Sequence, residues 1–342
     1  MSTLHPLDLP DAALADYLTR HIEGFRAPLC SKKFKGGQSN PTYLLEAASG
    51  PYVLRRKPPG KLLSSAHAVD REYRVLQALH GGTVPVAAPL HLCTDEHVIG
   101  SMFYVMQFID GKIYWDPSLP EHSIEGRRTM YDAILQTLAS IHAIDVAAVG
   151  LADFGKPGNY FARQISRWSE QYRASETRII PAMDALIAQL PARCPADDGS
   201  LCLVHGDFRI DNLMFAADSP AVLAVVDWEL STLGHPLADL GYFCMALRLP
   251  RNPSLPGLAG LDRASLGIPD ETEILARYAE LTGRQIPADW PFVIAFSFFR
   301  LAAIAQGVAK RAQQGNASST QAEQAGRMVE LLSTLGLQEL QK

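Results

Sequence analysis

Three oxygen-bearing side chains in one stretch of the sequence have the types and spacing that magnesium-dependent phosphoryl transfer requires. Asp207 and Asn212 lie five positions apart in the polar loop 205–212, and Asp227 directly follows the apolar run 221–226. One carboxylate can orient an attacking hydroxyl and accept its proton, while an amide oxygen and a second carboxylate can hold Mg²⁺, which prefers oxygen ligands. For Asp207 alone, a turn whose side chain bonds its own backbone is an alternative interpretation. The three residues together favour a phosphoryl-transfer site over a plain turn.

The composition is that of a globular chain long enough for two lobes. Its 342 residues are 47% hydrophobic and 20% charged, and this length exceeds one ordinary hydrophobic core. The net charge of −5 argues against nucleic acid as a partner. No apolar run approaches the ~18 residues of a membrane span, so we expect no membrane interaction. Because the N-terminus lacks the pattern of a signal peptide and the five cysteines lack C-x-x-C spacing, we expect a cytoplasmic protein with reduced thiols and no zinc.

Strand-like segments and a glycine-containing turn precede the polar loop. After a short amphipathic helix at 11–21, segments 29–35 and 42–46 flank the turn Gly36-Gly37-Gln38-Ser39-Asn40, as in a hairpin. Glycine lets backbone N–H groups approach a phosphate closely, and Ser39 and Asn40 can add donors. A plain hairpin turn is the alternative. No Walker-type G-x-x-x-x-G-K-[ST] sequence occurs, which argues against a P-loop enzyme.

A third strand at 52–57 supplies a cation. Arg55 is the best candidate and Lys57 the second, although basic residues at a strand end often only face solvent. The following helix, predicted at 66–80, places Glu72 beside its apolar stripe. Glu72 can pair with Arg55, and a solvated helix carboxylate is the open alternative.

Strands are expected at 86–92 and 101–108, and the periodicity beyond them is mostly helical. We expect helices at 125–145, 159–173, 176–190, 270–283, 290–314 and 320–335, and a surface loop at 250–269. Asp239 is expected to cap a helix and brace the preceding loop. In the helix expected at 159–173, Trp168 belongs to the apolar face that packs in the core, and this face can also form a wall of the substrate site. Arg300 lies among phenylalanines, where it can cap a core or reach an anionic group of a substrate.

Several longer strings resemble one protein family: FKGGQSNPTYLL, YVLRRKPPG, VHGDFRIDNLMF, VVDWELSTLGHPLADLGY and FSFFRLAAIAQGV. They are similar to the aminoglycoside phosphotransferases and choline kinases, and most of all to the phosphotransferase domain that precedes acyl-CoA dehydrogenase domains in some larger proteins. The resemblance implies an α+β, bilobal protein kinase-like fold. It places a small antiparallel-sheet N-lobe with one helix at 1–107 and a larger, mostly helical C-lobe at 108–342.

The resemblance also implies an ATP- and Mg²⁺-dependent kinase and assigns roles to residues. Asp207 would be the catalytic base, Asn212 and Asp227 the metal ligands, and Arg55, braced by Glu72, the cation on the nucleotide phosphates. The remaining implied contacts are to ATP, from Gly36, Gly37, Ser39, Asn40, Arg55, Met106, Gln107 and Ile109, and to the acceptor, from Trp168, Tyr242 and Arg300.

Three functions remain open at this point. The first is a kinase acting on a hydroxyl of a small molecule, such as a hydroxy acid or a hydroxyacyl-CoA, with a separate acyl-CoA dehydrogenase as a partner. The second is an antibiotic kinase, which needs clustered acids to hold a polycation, whereas Glu271, Glu273 and Glu280 have the spacing of a solvated helix face. The third is a nucleotide-binding module without catalysis. Arg55 stands where a lysine is usual, but it keeps the charge and can contact two phosphate oxygens.

Overall fold

The computed structural model describes residues 8–34, 40–58, 68–252, 255–311 and 319–342. The chain divides into two compact units, each assembled from three segments. The first unit is Met1–Ile113, Ala147–Leu151 and Asn212–Ser231, and the second is Tyr114–Val146, Ala152–Asp211 and Thr232–Lys342. The stretch with the candidate catalytic residues is therefore shared, because Asp207 belongs to the second unit while Asn212 and Asp227 belong to the first.

The first unit contains a five-stranded antiparallel sheet in the order β1-β2-β3-β5-β4. The strands are β1 (Leu29–Lys33), β2 (Thr42–Ala47), β3 (Gly50–Arg56), β4 (Pro89–Cys93) and β5 (Phe103–Gln107). Side chains alternate between the two faces of a strand, so Tyr43 and Leu45 of β2 both enter the core. Helix α1 (Asp11–His21) adds Leu14 and Leu18 to the same core.

Two helices accompany this sheet, both predicted from the apolar periodicity, whereas the resemblance implies a single one. Helix α1 is confirmed over the predicted range, and α2 is Val69–Leu79. The stripe of α2 that enters the core includes Tyr73 and Leu76, and Glu72 is buried beside it. An acid in this position has lost its solvent, so it needs partners within the protein.

A second, three-stranded sheet of the first unit has the order β6-β8-β9. Its strands are β6 (Lys112–Ile113), β8 (Leu213–Phe215) and β9 (Val222–Val225). Strands β8 and β9 form an antiparallel hairpin in which Leu213 lies opposite Val225. The residue before β8 and the residues after β9 consequently lie at the same end of the hairpin.

The second unit is mostly helical around a two-stranded ladder of β7 (Cys202–Val204) and β10 (Thr232–Gly234). Its helices are α3 (Ile124–His142), α4 (Tyr160–Ser175), α5 (Pro181–Arg193), α6 (Leu237–Cys244), α7 (Arg263–Leu266), α8 (Glu271–Thr282), α9 (Trp290–Arg311) and α10 (Ser319–Leu340). The short helix α7 interrupts the region expected to be a loop. Helix α5 begins five residues later than expected, with Pro181 in its first turn, where the missing N–H costs no helical hydrogen bond.

Helix α9 is the central apolar helix of the second unit. Its 22 residues are long and apolar enough to cross a membrane by length and composition, so the expectation that no stretch approaches such a length is wrong. Within its apolar window, 78% is buried inside the protein, with Phe292, Phe296 and Phe299 in the core. This burial is the pattern of a core helix.

Candidate active site

The first unit brings one arginine and three carboxylates together. The Nε atom of Arg55 lies 3.0 Å from Oε2 of Glu72, and Nη2 lies 2.5 Å from Oδ1 of Asp227. Glu229 is the third acid, with Oε2 3.7 Å from the Arg55 Nη2. The candidate phosphate-binding cation is thus Arg55 rather than Lys57, and its charge is stabilised by nearby acids although burial opposes it, so its pKa is raised.

Glu72 is held from several sides and is only 1% exposed. Besides the Arg55 contact, Oε1 accepts a hydrogen bond from the Asn40 amide at 2.9 Å, and Oε2 accepts one from the Tyr104 hydroxyl at 2.8 Å. Burial raises the pKa of Glu72 above its ordinary value, and Arg55 and the two hydrogen bonds offset this rise only in part. The alternative of a solvated helix carboxylate is therefore wrong.

The β8–β9 hairpin places the two predicted metal ligands, Asn212 and Asp227, at its same end. The backbone N–H of Val226 donates to the carbonyl oxygen of Asn212 at 2.9 Å, which extends the ladder past the strand ends. Asp227 has a left-handed backbone, with φ 67° and ψ 58°. Among residues other than glycine, Asp and Asn adopt this conformation most readily, and here it ends the strand so that the carboxylate stands at the hairpin end.

Glu229 is a candidate site residue that the sequence reasoning missed. Glu72, Asp227 and Glu229 place one carboxylate oxygen each within 4.8 Å of one another, close enough to share a cation. Glu229 also accepts a hydrogen bond from the Asn40 amide at 3.3 Å. The position of Glu229, two residues after Asp227, was the sequence feature that could have indicated its place at the site. Together with the Asn212 amide oxygen, these hard oxygen donors suit Mg²⁺.

In the second unit, a buried acid braces the loop that contains Asp207. Both carboxylate oxygens of Asp239 accept backbone hydrogen bonds at 2.7 Å, from the N–H groups of His205 and Gly206. His142 contacts the same carboxylate, with Nε2 3.3 Å from Oδ2. Burial by itself raises the pKa of Asp239, but His142, His205 and the Gly206 N–H outweigh it and hold the pKa below its ordinary value.

The expected brace at Asp239 is therefore confirmed, whereas the expected helix cap is wrong. Helix α6 begins at Leu237 after Pro236, so Asp239 lies inside its first turn and caps nothing with its side chain. The carboxylate points instead to the loop before Asp207. The physical reason is that the two buried backbone N–H groups at 205 and 206 need acceptors, and the Asp239 carboxylate supplies both.

Asp207 itself lies among polar partners of the second unit. Its backbone N–H donates to Nδ1 of His205 at 3.2 Å, and its carboxylate is 3.4 Å from Nε of Arg209. Burial, together with the negative charge of the nearby Asp207 carboxylate, raises the pKa of Tyr242. Tyr242, which the resemblance places at the acceptor, thus lies next to the candidate base.

The candidate adenine and phosphate contacts are only partly within the described residues. Met106 and Gln107 end β5, and Ile109 follows them. The N–H of Gln107 donates to the carbonyl oxygen of Ala88 at 2.9 Å, which leaves the Gln107 carbonyl as its candidate adenine contact. Gly36, Gly37 and Ser39 lie outside the described residues. Asn40 is described, and it binds Glu72 and Glu229.

The fold and these two groups of residues define a phosphotransferase. The chain belongs to the phosphotransferase enzyme family (APH), whose family model matches residues 31–281. The expected family, enzyme class and α+β kinase-like fold are confirmed.

Curated relatives are longer proteins with acyl-CoA dehydrogenase names. Acyl-CoA dehydrogenase family member 10 of Mus musculus is 46% identical over 331 residues, which are 96% of this chain and 31% of that protein. Family member 11 of Rattus norvegicus is 41% identical over 340 residues, 98% of this chain and 43% of the relative. The chain thus spans 31% to 43% of the length of these relatives.

Solved structures agree with the family. A crystal structure from Ralstonia eutropha JMP134, named for an aminoglycoside phosphotransferase, is 48% identical, with a TM-score of 0.87 over 98% of this chain and 99% of its own. A ternary complex of a thermostable mutant of aminoglycoside phosphotransferase APH(4)-Ia with AMP-PNP and hygromycin B is 16% identical. Its TM-score is 0.60 over 95% of this chain and 98% of that one. At 16% identity, this second likeness shows the fold alone.

Proposed function

We propose that this phosphotransferase is an ATP- and Mg²⁺-dependent kinase that transfers the γ-phosphate to a hydroxyl group of a small molecule. The observation that supports this most is the contact of Asp227 with the Arg55–Glu72 pair, at the hairpin end where Asn212 also lies. Asp207 precedes Asn212 by five residues in the same loop. A cation for phosphates, oxygen ligands for a metal and a carboxylate base are the parts that phosphoryl transfer uses.

The first unit supplies the residues for nucleotide and metal. Asn212 and Asp227 would hold Mg²⁺ through oxygen atoms, with Glu229 close enough to join them. When bound, Mg²⁺ neutralises charge on the nucleotide phosphates. Arg55, oriented by Glu72, would contact two phosphate oxygens with its planar guanidinium. The Gln107 carbonyl and the Ile109 backbone would bind adenine.

The second unit supplies the base. Asp207 would hold the acceptor hydroxyl in line with the γ-phosphate and accept its proton. The hydrogen bonds from the backbone at 205 and 206 to Asp239 fix the start of this loop. Positioning of this kind accounts for much of the rate in phosphoryl transfer, since little covalent chemistry is left to the protein.

A hydroxy acid or a hydroxyacyl thioester is the acceptor that we favour over an antibiotic. The acids of α8 are engaged within the protein. Glu271 pairs with Arg248 at 2.7 Å, Glu280 pairs with Arg277 at 2.7 Å, and Glu273 closes a capping box with Asp270. They are not available as a cluster for a polycation. The names of the curated relatives support acyl chemistry, and we propose that an acyl-CoA dehydrogenase acts together with this kinase.

The test is phosphate transfer from γ-labelled ATP with Mg²⁺ to a panel of hydroxyacyl-CoAs, free hydroxy acids, aminoglycosides, choline and sugars. The Asp207→Asn variant is assayed in parallel. Transfer to one class by the wild type, lost in the variant, would support the proposal and identify the acceptor. Absence of ATP binding by the wild-type protein would refute it.

A further inference from the structure

Arg300 is a buried cation without an acidic partner among the described residues. The side chain is 3% exposed, and its Nε and Nη1 atoms are buried without a hydrogen-bond partner. Leaving charged donors unpaired in the interior is costly, so such a group usually signals a missing partner.

Two other arginines of the second unit, the buried Arg127 and the partly buried Arg248, show the ordinary arrangement. Arg127 donates to the carbonyl oxygens of Ser118 and Leu119 at 2.9 and 3.0 Å. Arg248 forms ion pairs with Glu271 at 2.7 Å and Glu339 at 2.9 Å. Arg300 differs from both because its neighbours are aromatic rings.

Two rings hold the Arg300 guanidinium in place. Its carbon Cζ lies 5.7 Å from the ring centroid of Trp168 on α4 and 5.6 Å from that of Tyr242 on α6. The faces of aromatic rings attract cations but leave the N–H donors free. Gly241 permits the close packing of α6 on α9, since a methyl group there would lie 2.5 Å from Cγ1 of Val293. The packing thus fixes Arg300 and leaves its Nε and Nη1 donors without acceptors.

A second, more exposed guanidinium contacts the same tryptophan ring. Cζ of Arg167 lies 5.3 Å from the ring centroid of the same Trp168. Desolvation and the positive charge of Arg300 lower the pKa of Arg167, so the two cations repel each other. An anion would relieve this repulsion and accept the free donors of Arg300.

This positive region lies beside the candidate base. Tyr242 lies near enough to Asp207 to feel the negative charge of its carboxylate, and the Tyr242 ring contacts the Arg300 guanidinium. One tyrosine side chain therefore separates the carboxylate that would activate a hydroxyl from a guanidinium that lacks an anion. A small molecule carrying both a hydroxyl and an anionic group could reach both.

We propose that Arg300, assisted by Arg167, binds an anionic group of the acceptor, a carboxylate or a phosphate monoester, a short distance from the hydroxyl that is phosphorylated. This inference rests on the proposed kinase function and specifies its acceptor. It makes Arg300 an acceptor-binding residue that selects anionic over neutral alcohols.

The experiment measures binding first, so that its result does not depend on turnover. Calorimetric titrations use 3-hydroxypropionate, 4-hydroxybutyrate and 6-hydroxyhexanoate, the primary amide of each, and 4-hydroxybutyl phosphate. Wild-type protein is compared with Arg300→Gln, Arg300→Lys and Arg167→Gln. Arg173→Gln is the matched control, because Arg173 also stacks on a tyrosine ring but is paired with Asp184 and Glu176. Thermal unfolding verifies that each variant is folded.

We expect at least one acid or the phosphate ester to bind the wild type more tightly than its neutral counterpart. Arg300→Gln should weaken that binding by roughly 10- to 100-fold, because a charge-assisted hydrogen bond is lost. Arg300→Lys should restore part of it, and Arg173→Gln should change nothing. Comparison of the acids with the phosphate ester identifies the anion. Equal affinity for anionic and neutral members, or unchanged binding by Arg300→Gln, would overturn the proposal.

Failure of the proposed kinase function can be distinguished from failure of the anion site. Titration of the same wild-type protein with ATP and Mg²⁺, followed by transfer from labelled ATP, tests that function separately. If the kinase is active but phosphorylates amides as well as acids, with KM for the acids unchanged in Arg300→Gln, only the anion site is wrong. If ATP does not bind, the kinase function itself is wrong, whatever the titrations with acids show.

Discussion

Nη2 of Arg55 lies 2.5 Å from Oδ1 of Asp227, so the candidate phosphate-binding cation contacts the candidate metal ligand directly. The pair belongs to a larger network of charged groups, since Nε of the same arginine contacts Glu72 at 3.0 Å. In the proposed kinase, Arg55 would bind the nucleotide phosphates and Asp227 the metal, so their contact would link the affinity for ATP to that for Mg²⁺.

Replacement of Asp227 by Asn removes the negative charge of the side chain and keeps its size. Asn tolerates the left-handed backbone of this position, where φ is 67°, so the fold should persist. The loss of one carboxylate should weaken binding of Mg·ATP by about tenfold or more, measured by titration with ATP at fixed Mg²⁺. Glu46→Gln, which removes an exposed acid paired with Lys32, is the control. Unchanged affinity in Asp227→Asn would contradict its role as a ligand.

Replacement of Asp207 by Asn should remove the base and preserve the nucleotide site. We expect kcat to fall at least ~10²-fold while ATP binding stays nearly intact, because the base acts only on the acceptor hydroxyl. Asp211→Asn is the matched control in the same loop, since Asp211 pairs with Arg209 at 3.0 Å. Turnover by Asp207→Asn within a few-fold of the wild type would exclude Asp207 from proton transfer.

Replacement of Glu72 by Gln should weaken the contact that holds the Arg55 side chain in position. The amide keeps the size of the side chain but loses the charge that faces Nε of Arg55. We expect a loss of about 1–3 kcal/mol in the free energy of unfolding, as for a buried charged donor deprived of its partner, and a higher KM for ATP. Urea unfolding and steady-state kinetics measure the two effects. A rise in KM without any loss of stability would indicate that the contact forms only with the nucleotide bound.

The stability of the second unit should depend on pH through His235. Its Nδ1 accepts from the Leu237 N–H at 3.2 Å and its Nε2 is 3.3 Å from Asp198. Burial lowers the pKa of His235, and Asp198 offsets this only in part. The unfolded chain therefore binds a proton at His235 more tightly than the folded chain does. The contribution of neutral His235 to the free energy of unfolding is complete above the ordinary histidine pKa of about 6.5, and it is lost as the pH falls through the lowered pKa.

The corresponding measurement compares urea unfolding at about pH 7.5 and pH 5.5, on either side of the ordinary histidine pKa. The free energy of unfolding should fall more on acidification in the wild type than in His235→Gln. His97→Gln, at an exposed histidine, should behave as the wild type does. Equal losses in wild type and His235→Gln would show that His235 titrates alike in the folded and unfolded chains.

The sequence by itself determined the class of protein and most of its elements. The spacing of Asp207, Asn212 and Asp227 requires only short-range order, a loop and a hairpin, which residue type and periodicity indicate directly. Helix α1 matched its predicted bounds for the same reason, since its apolar spacing is local. Strand β4 was expected at 86–92 but is observed at Pro89–Cys93, because pairing with β5 rather than local propensity decides where a strand starts.

Only the tertiary structure decided which polar groups meet. Arg55 rather than Lys57 reaches Glu72, Glu229 joins Asp227 at the candidate metal site, and Asp239 braces the loop of Asp207 instead of capping α6. The isolated charge of Arg300 likewise depends on rings from two other helices. Such contacts join residues far apart in the chain, and their selection depends on burial: a charge or N–H group removed from water must find its partner among the side chains that the fold happens to bring within reach.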